Sequence, residues 1–414
     1  MTKTNQKSNI VAIVTMCFIF AMISFVTNMA APFGNIWKGQ YNWAAMMGNM
    51  MNFAAYLFMG IPAGNMLVKF GYKKTTLIGL ATGFVGICIQ YLSSFSFLAG
   101  SAIYVYLLGA FVCGFCVCML NTVVNPMLNI LGGGGNKGNQ LIQIGGTLNS
   151  LTGTLTPLLV GVLIGTVTDK TAMSDVTPLL FIAMAVFAVS FVIIKLVNIP
   201  EPAKERGNVV YEHKVWEFRH TLLGVIAIFF YVGVEIGIPA QLNFYISDLG
   251  FVGSAAVGGF LAAAYWLLMM VGRFASSALS GKIATRTQMI CMTSLAIVLL
   301  LVAIFLPESI SMTVKGAAVP MKTIFIAACG ICTSIMWGAI FNLSVEGLGK
   351  YTEKASGLFM TMVVGGGIMP LIQEFIAHKT GAITSYWLVI AMLAYILYYA
   401  LIGCKNVNKD IPVE

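Results

Sequence analysis

Long apolar runs alternate with short polar connectors along the whole chain. The runs cover residues 10–34, 43–68, 75–95, 101–131, 140–167, 177–197, 221–246, 252–280, 287–306, 321–345, 355–377 and 383–404. Nearly every run reaches the ~20 residues that a helix needs to cross the hydrocarbon core. They are continuous, whereas a membrane β-barrel needs short strands of alternating polarity, so a barrel is excluded. The pattern predicts an all-α membrane protein with twelve transmembrane helices in two pseudo-symmetric six-helix bundles. The first run is too long for the apolar stretch of a signal peptide and leads into more membrane, so it is read as the first helix. The longest polar stretch, 198–220, opens with Pro200 and Pro202 and carries Lys204, Arg206, Lys214 and Arg219. The expected organisation is an N-terminal bundle at 1–197, a cytoplasmic linker at 198–220 and a C-terminal bundle at 221–414.

Composition agrees with the pattern. Of 414 residues, 59% are hydrophobic and 9% charged, against about 25% charged in a soluble chain. Charge also sets an orientation. With both termini in the cytoplasm, only Lys38, Lys170, Lys315, Lys322 and Lys379 fall outside. The other basic residues, among them Lys73, Lys74, Lys137, Arg273, Lys282 and Arg286, fall on cytoplasmic loops, as the positive-inside rule requires. The net charge of +9 is therefore a topology signal. It is spread over many short loops, which argues against a nucleic-acid partner. The expected location is the cytoplasmic (inner) membrane, in contact with the lipid bilayer and as a monomer.

Chemistry-bearing residues are sparse. Cys113/Cys116 and Cys329/Cys332 have C-x-x-C spacing, but they lie inside helices and away from His213, His220 and His378. They read as small packing residues rather than metal or redox sites. No catalytic triad, metal cluster or phosphate loop is apparent, so an enzyme and a bound cofactor are not expected. The basic, glycine-bearing segments Gly64–Lys74 and Gly272–Arg286 lie six helices apart, the expected trace of two similar halves. The first resembles the major facilitator loop signature with Val68 in place of its Asp.

More specific are Asn121-Thr122-Val-Val-Asn125-Pro126 in the fourth helix, Tyr231-Val-Gly-Val-Glu235 in the seventh, and Asn342…Glu346 in the tenth. The eleventh adds Gly365-Gly366-Gly367-Ile-Met-Pro370, and the second contains Gly60-Ile-Pro62-Ala63-Gly64. Together, and in collinear order, these resemble the fucose:proton symporter family of the major facilitator superfamily, including its glucose/galactose transporter branch. The resemblance implies a monosaccharide transporter working by alternating access. It also exposes a departure. The fucose-type pattern has a Glu where Asn121 stands and an Asp in the first helix, four residues before a proline, where Asn28 stands before Pro32. The first acid in the chain is Asp169, so the first-half helices have no carboxylate to cycle a proton.

Glu235 is the remaining deep acid, about 20 Å along its helix at ~1.5 Å per residue. An acid at that depth costs about 2.5–3.5 kcal/mol and needs a partner or a cavity. It is the candidate for coupling to a proton or sodium ion. Glu374 is placed in the outer half as a candidate gate residue, and Glu346 with Lys350 and Lys354 in a cytoplasmic cluster. A sugar needs amides or hydroxyls and an aromatic platform. The candidates are Asn28, Asn121, Asn125, Gln143 and Asn149 in the first half and Gln241, Asn243 and Asn342 in the second, with Trp266 and Trp337 as platforms. Each amide has an alternative role as a helix–helix hydrogen bond. Trp37, Trp43 and Trp387 read as interfacial belt residues. Pro126 should leave a carbonyl near Thr122 without its helical partner. An uncoupled facilitator and a sugar sensor on a transporter scaffold are the alternatives; a sensor would usually carry a long cytoplasmic extension, which this sequence lacks.

Overall fold

The computed structural model describes residues 3–38, 41, 47–98, 100–164, 171–202, 211–408 and 410–413. Expectations for Trp43, Asp169, Lys170, Lys204 and Arg206 lie outside these. The helices are α1 (Lys3–Lys38), α2 (Met47–Leu92), α3 (Ala102–Leu131), α4 (Gly135–Ile164), α5 (Thr177–Leu196), α6 (Arg219–Ser247), α7 (Ser254–Leu279) and α8 (Thr285–Phe305). They continue as α9 (Lys322–Thr333), α10 (Met336–Val345), α11 (Thr352–Thr361), α12 (Gly365–Thr380) and α13 (Tyr386–Tyr398), the last extended by a π-helical turn, Tyr399–Gly403. Ten helical stretches are long and apolar enough to cross a membrane. One of these, α2, holds two spans. Gly71 sits between its arms at φ 84° and ψ 176°, a conformation open to a residue without Cβ. The amide-bearing α4 stands outside the ten and completes twelve helical spans among the described residues.

Two predicted spans are interrupted. Ser334 and Ile335 separate α9 from α10, and a 3₁₀ turn, Met362–Val364, separates α11 from α12. A short antiparallel hairpin, β1 (Ser311–Val314) and β2 (Ala317–Pro320), follows α8. Its turn is Lys315-Gly316, both at positive φ, the geometry that matches strand twist. Ten residues between two apolar runs had carried no strand signal.

Packing joins α1 to α3 and α4, and α2 to α3 and α5. Beyond residue 219, α6 packs on α7, α12 and α13, and α8 on α9 and α13. Two long contacts connect these groups, α2 with α11 and α4 with α7. The first is very close: a Cβ on Gly64 would stand 2.9 Å from Gly357 Cα. Small residues allow this approach between membrane helices. Outward-facing positions such as Phe58, Phe181, Phe274 and Trp387 are apolar and exposed, as a lipid-facing surface requires. Trp37 corrects the belt reading. It is buried against Tyr106, with ring centroids 5.6 Å apart.

Connectors converge at the end of the molecule that holds residues 197–202 and 211–219. Glu201 accepts from the Tyr72 and Lys73 N–H groups at 2.7 and 3.0 Å. These open the second arm of α2, where amides have no helical acceptor and a negative charge is favoured. Lys73 Nζ donates to the Val197 carbonyl at 2.8 Å. The loop that lacks an Asp at Val68 is thus held by an acid from the connector after α5. Phe218 is buried against Tyr351, which also accepts from the His213 N–H.

Candidate functional site

The centre of the molecule is organised by α3. Pro126 cannot donate to the Thr122 carbonyl, and Ser356 Oγ of α11 donates to it instead at 3.1 Å. The kink therefore becomes a contact between the first and second groups of helices. Asn125 Nδ2 donates to the Asn121 carbonyl at 2.8 Å, and its Oδ1 accepts from Trp337 Nε1 of α10 at 3.0 Å. The Trp337 ring meets Tyr231 of α6 and Phe359 of α11 edge-on, at centroid distances of 6.4 and 6.1 Å. Asn121 Nδ2 donates to Tyr56 Oη at 2.8 Å. One turn further along α3, Asn129 Nδ2 donates to Asn342 Oδ1 at 2.5 Å. Of the sequence-predicted amides, Asn125 reaches Trp337 directly, Asn121 stands one turn earlier on α3 and bonds Tyr56, and Asn342 lies further along α10, bonded to Asn129.

Gln143 belongs to a different set. Its Nε2 donates to the Ile335 carbonyl at 2.9 Å. Nearby on α4, Asn139 Nδ2 donates to Ser280 Oγ at 3.1 Å, and Gln140 Nε2 to the Ser277 carbonyl at 2.9 Å. The Asn136 carboxamide oxygen accepts from the Thr285 N–H at 3.1 Å. These bonds tie α4 to α7, α8 and the α9–α10 joint at the linker end. Asn28 and Asn149 stay within the first group: Asn28 Nδ2 donates to the Ser24 carbonyl and Asn149 Nδ2 to that of Phe20, at 2.8 and 2.9 Å. Gln241 and Asn243 lie towards the far end of α6. Gln241 donates to Glu374, which also meets His378 at 3.0 Å. Asn243 Oδ1 lies against Gly258 of α7. Trp266 is 38% exposed on the outer side of α7, which removes it as a platform.

Opposite the linker end, a small cleft of about 60 Å³ opens between Asn49, Met50 and Phe53 of α2 and Ile236, Gln241, Phe244, Pro370 and Glu374 of α6 and α12. Glu374 is thereby a wall of the cleft. Glu346 ends α10 with its carbonyl accepting from His220 Nε2 at 3.0 Å. The lysines placed beside it contact rings, Lys350 over Tyr351 and Lys354 over Tyr211.

Arg273 differs most from its sequence-based placement. Rather than lying in a cytoplasmic loop, it is 8% exposed within α7, which continues to Leu279. Its Nη2 donates to Glu235 Oε1 at 3.0 Å. Nη1 reaches Ser150 Oγ at 2.7 Å and the Gly146 carbonyl at 3.3 Å on α4, and Nε points to the Ser334 carbonyl at 3.4 Å. Such burial is tolerable because the charge is paired and its other donors have acceptors. The signal missed in the sequence was a lone Arg several residues inside an apolar run, opposite Glu235.

A profile of the Major Facilitator Superfamily matches residues 10–370. The chain belongs to that superfamily. It is 30% identical to a glucose/galactose transporter of Brucella abortus biovar 1 (strain 9-941), over 97% of this chain and 96% of the relative. It is 21% identical to the L-fucose-proton symporter of Escherichia coli (strain K12), over 95% and 93%. The crystal structure of the major facilitator transporter FucP in the outward conformation superposes with a TM-score of 0.82 at 19% identity, covering 96% of this chain and all of that one. As a major facilitator protein the chain is a multi-pass membrane transporter. The Trp337 cluster and the Glu235–Arg273 pair lie where α3 and α4 meet the helices that follow residue 219.

Proposed function

We propose that this protein carries a monosaccharide across the cytoplasmic membrane by alternating access, in uptake coupled to a proton or sodium ion. The observation that carries the reading is the Trp337–Asn125 contact between the halves. It sets an aromatic ring of the second half against a carboxamide of the first, the chemistry that a sugar's apolar face and hydroxyls need. Asn121, Asn125 and Asn342 are the substrate contacts favoured by this geometry. Asn28 and Asn149 border the first-half wall, Gln143 belongs to the linker-end closure, and Gln241 and Asn243 lie on the entry side. Glu235 is the coupling acid. The halves are residues 1–197 and 221–414, with 198–220 and both termini in the cytoplasm, following the basic loops. The protein acts in the bilayer as a monomer without a nucleic-acid partner. The full-length likeness to a glucose/galactose transporter supports the substrate class.

Proteoliposomes containing the purified protein are assayed with labelled glucose, galactose and fucose under imposed proton or sodium gradients. Accumulation of at least one sugar above equilibration is expected, and it should collapse when the driving gradient is removed. Uptake that stops at equilibration under both gradients favours the uncoupled facilitator. The Glu235–Arg273 pair gives that second reading its specific support, because a permanently paired acid need not exchange a cation. Absence of any sugar uptake would remove the substrate class.

A further inference from the structure

We propose that Arg273 is a positioning residue of transport: a tethered cation, shared between Glu235 and α4, that makes cation uptake at Glu235 depend on which end of the transporter is open. The proposal rests on the reading of Glu235 as the coupling acid and adds how its cation affinity alternates.

The geometry divides the guanidinium between the halves. Glu235 and Ser334 belong to the second half and Gly146 and Ser150 to the first. Opening the linker end requires α4 to separate from α7, because these helices form one of the two long contacts between the halves. Arg273 then loses two acceptors, while its bond to Glu235, on a neighbouring helix of the same half, persists. A monovalent cation taken up at Glu235 has the opposite effect. It neutralises the carboxylate and withdraws the counter-charge from Arg273. While α4 is docked, Gly146 and Ser150 still accept from the guanidinium, so the loss is tolerated. Once α4 has left, the arginine would retain, outside Glu235, only neutral acceptors of its own half, the Ser334 carbonyl and the Tyr231 hydroxyl. That arrangement is unfavourable. Cation binding and linker-end opening therefore oppose one another, and by linkage each weakens the other. The cation is taken up with the linker end closed and released with it open, the order that inward transport needs.

The first half supplies no competing charge at this depth. Its spans carry no carboxylate, and the described charged residue on α4 is Lys137, in its first turn. The titratable side chains around the pair are Tyr231 and Tyr265. The fork shape of arginine is essential to the arrangement. A lysine keeps the charge but offers a point donor that cannot serve Glu235, Ser334 and α4 together.

The test uses full-length protein in proteoliposomes, comparing sugar accumulation with exchange between equal pools. Arg273→Lys is expected to keep exchange within about twofold of wild type and to lower the accumulation ratio by about tenfold. The double variant Arg273→Gln/Glu235→Gln should exchange sugar without accumulating it. Accumulation at the wild-type level in either variant would overturn the proposal, as would loss of exchange in proportion to accumulation.

A sugar-independent arm separates this inference from the substrate assignment. Ser280 is buried beneath Asn139, so a Ser280→Cys thiol reports linker-end opening. Without sugar, its alkylation rate should rise severalfold as the coupling cation is withdrawn, with pH for a proton or with sodium depletion for sodium. The rise is read as the ratio to the same thiol in the double variant, whose rate should be flat to sodium and should follow pH only through the thiol's own ionisation. A response to neither cation with Arg273 and Glu235 intact defeats the proposal, even if sugars are transported. A response in the absence of sugar transport leaves the cation switch standing and removes the sugar assignment.

Discussion

The two ends of the interface between the halves are built from different chemistry. At the linker end, carboxamides and hydroxyls bond across it: Asn129 to Asn342, Asn139 to Ser280, Gln140 to the Ser277 carbonyl and Gln143 to that of Ile335. Backbones touch at Gly64 and Gly357. At the other end the walls are largely apolar, and α2 meets α12 through Phe53 against Gly366 and Gly367. The first end is closed by many directional bonds of modest individual strength, each worth about 0.6–2 kcal/mol between membrane helices. Such a seal is specific in register yet weak enough to break and re-form as a unit. The second end yields by rotating side chains over glycine. The difference identifies the linker end as the latch and the opposite end as the mouth in this conformation, and it can be tested position by position.

Glycine substitutions should separate the ends most sharply. A Cβ on Gly357 would stand 2.7 Å from both the Gly60 carbonyl oxygen and Gly64 Cα, and backbone cannot move aside as a side chain can. Overpacking of this kind costs about 1–3 kcal/mol. Gly357→Ala should thus depopulate the closed latch by roughly 5- to 150-fold and lower transport accordingly. On Gly367 the nearest atom is Phe53 Cβ at 3.3 Å, a contact that small shifts relieve. Gly367→Ala should transport within about twofold of wild type. Equal losses in the two variants, with both proteins folded by circular dichroism, would erase the distinction between latch and mouth.

A smaller effect is expected from single hydrogen bonds. Asn129→Ala leaves the buried Asn342 amide without its partner, at about 1–3 kcal/mol. Alkylation of a Ser280→Cys reporter should accelerate in proportion. Gln241→Ala at the mouth releases Glu374, a half-exposed group that water can serve, so the same reporter should be unchanged. Faster alkylation in Gln241→Ala would show that the mouth contributes to the latch.

The fold was largely legible in the sequence because apolar length and basic loops respond to the bilayer itself. The carbonyl freed by Pro126 was legible too, though not its rescue by Ser356. Arg273 was misplaced because the positive-inside rule treats a basic residue near a span's end as a loop residue. Only the packing of α6 against α7 shows that Glu235 waits beside it. Glu353 was overlooked for the opposite reason. It follows a polar connector, yet it is fully buried, with Tyr72 Oη 3.3 Å away across the interface. Side-chain partners hundreds of residues apart leave no periodic trace in one chain.

The smallest predicted effect lies in the linker, where charge is solvated. Glu217 accepts from the His213 ring at 2.7 Å and from the Lys214 N–H at 3.0 Å. The His213 hydrogen bond, then that backbone N–H, hold its carboxyl below the usual carboxylate range. A group held low in the folded state contributes stability above its ordinary range and loses it as pH falls through the folded value. The contribution is local because the carboxylate is exposed and screened. Amide exchange at Val215–Phe218 should be slower in the wild type than in Glu217→Gln at neutral pH, and the gap should close in acid. The Ser280→Cys reporter should alkylate equally in the two proteins at each pH, because the bonds across the latch near Ser280 come from amides and hydroxyls that do not titrate there. A reporter that followed Glu217 would instead make the linker turn part of the latch and move the boundary between the two ends beyond the helices.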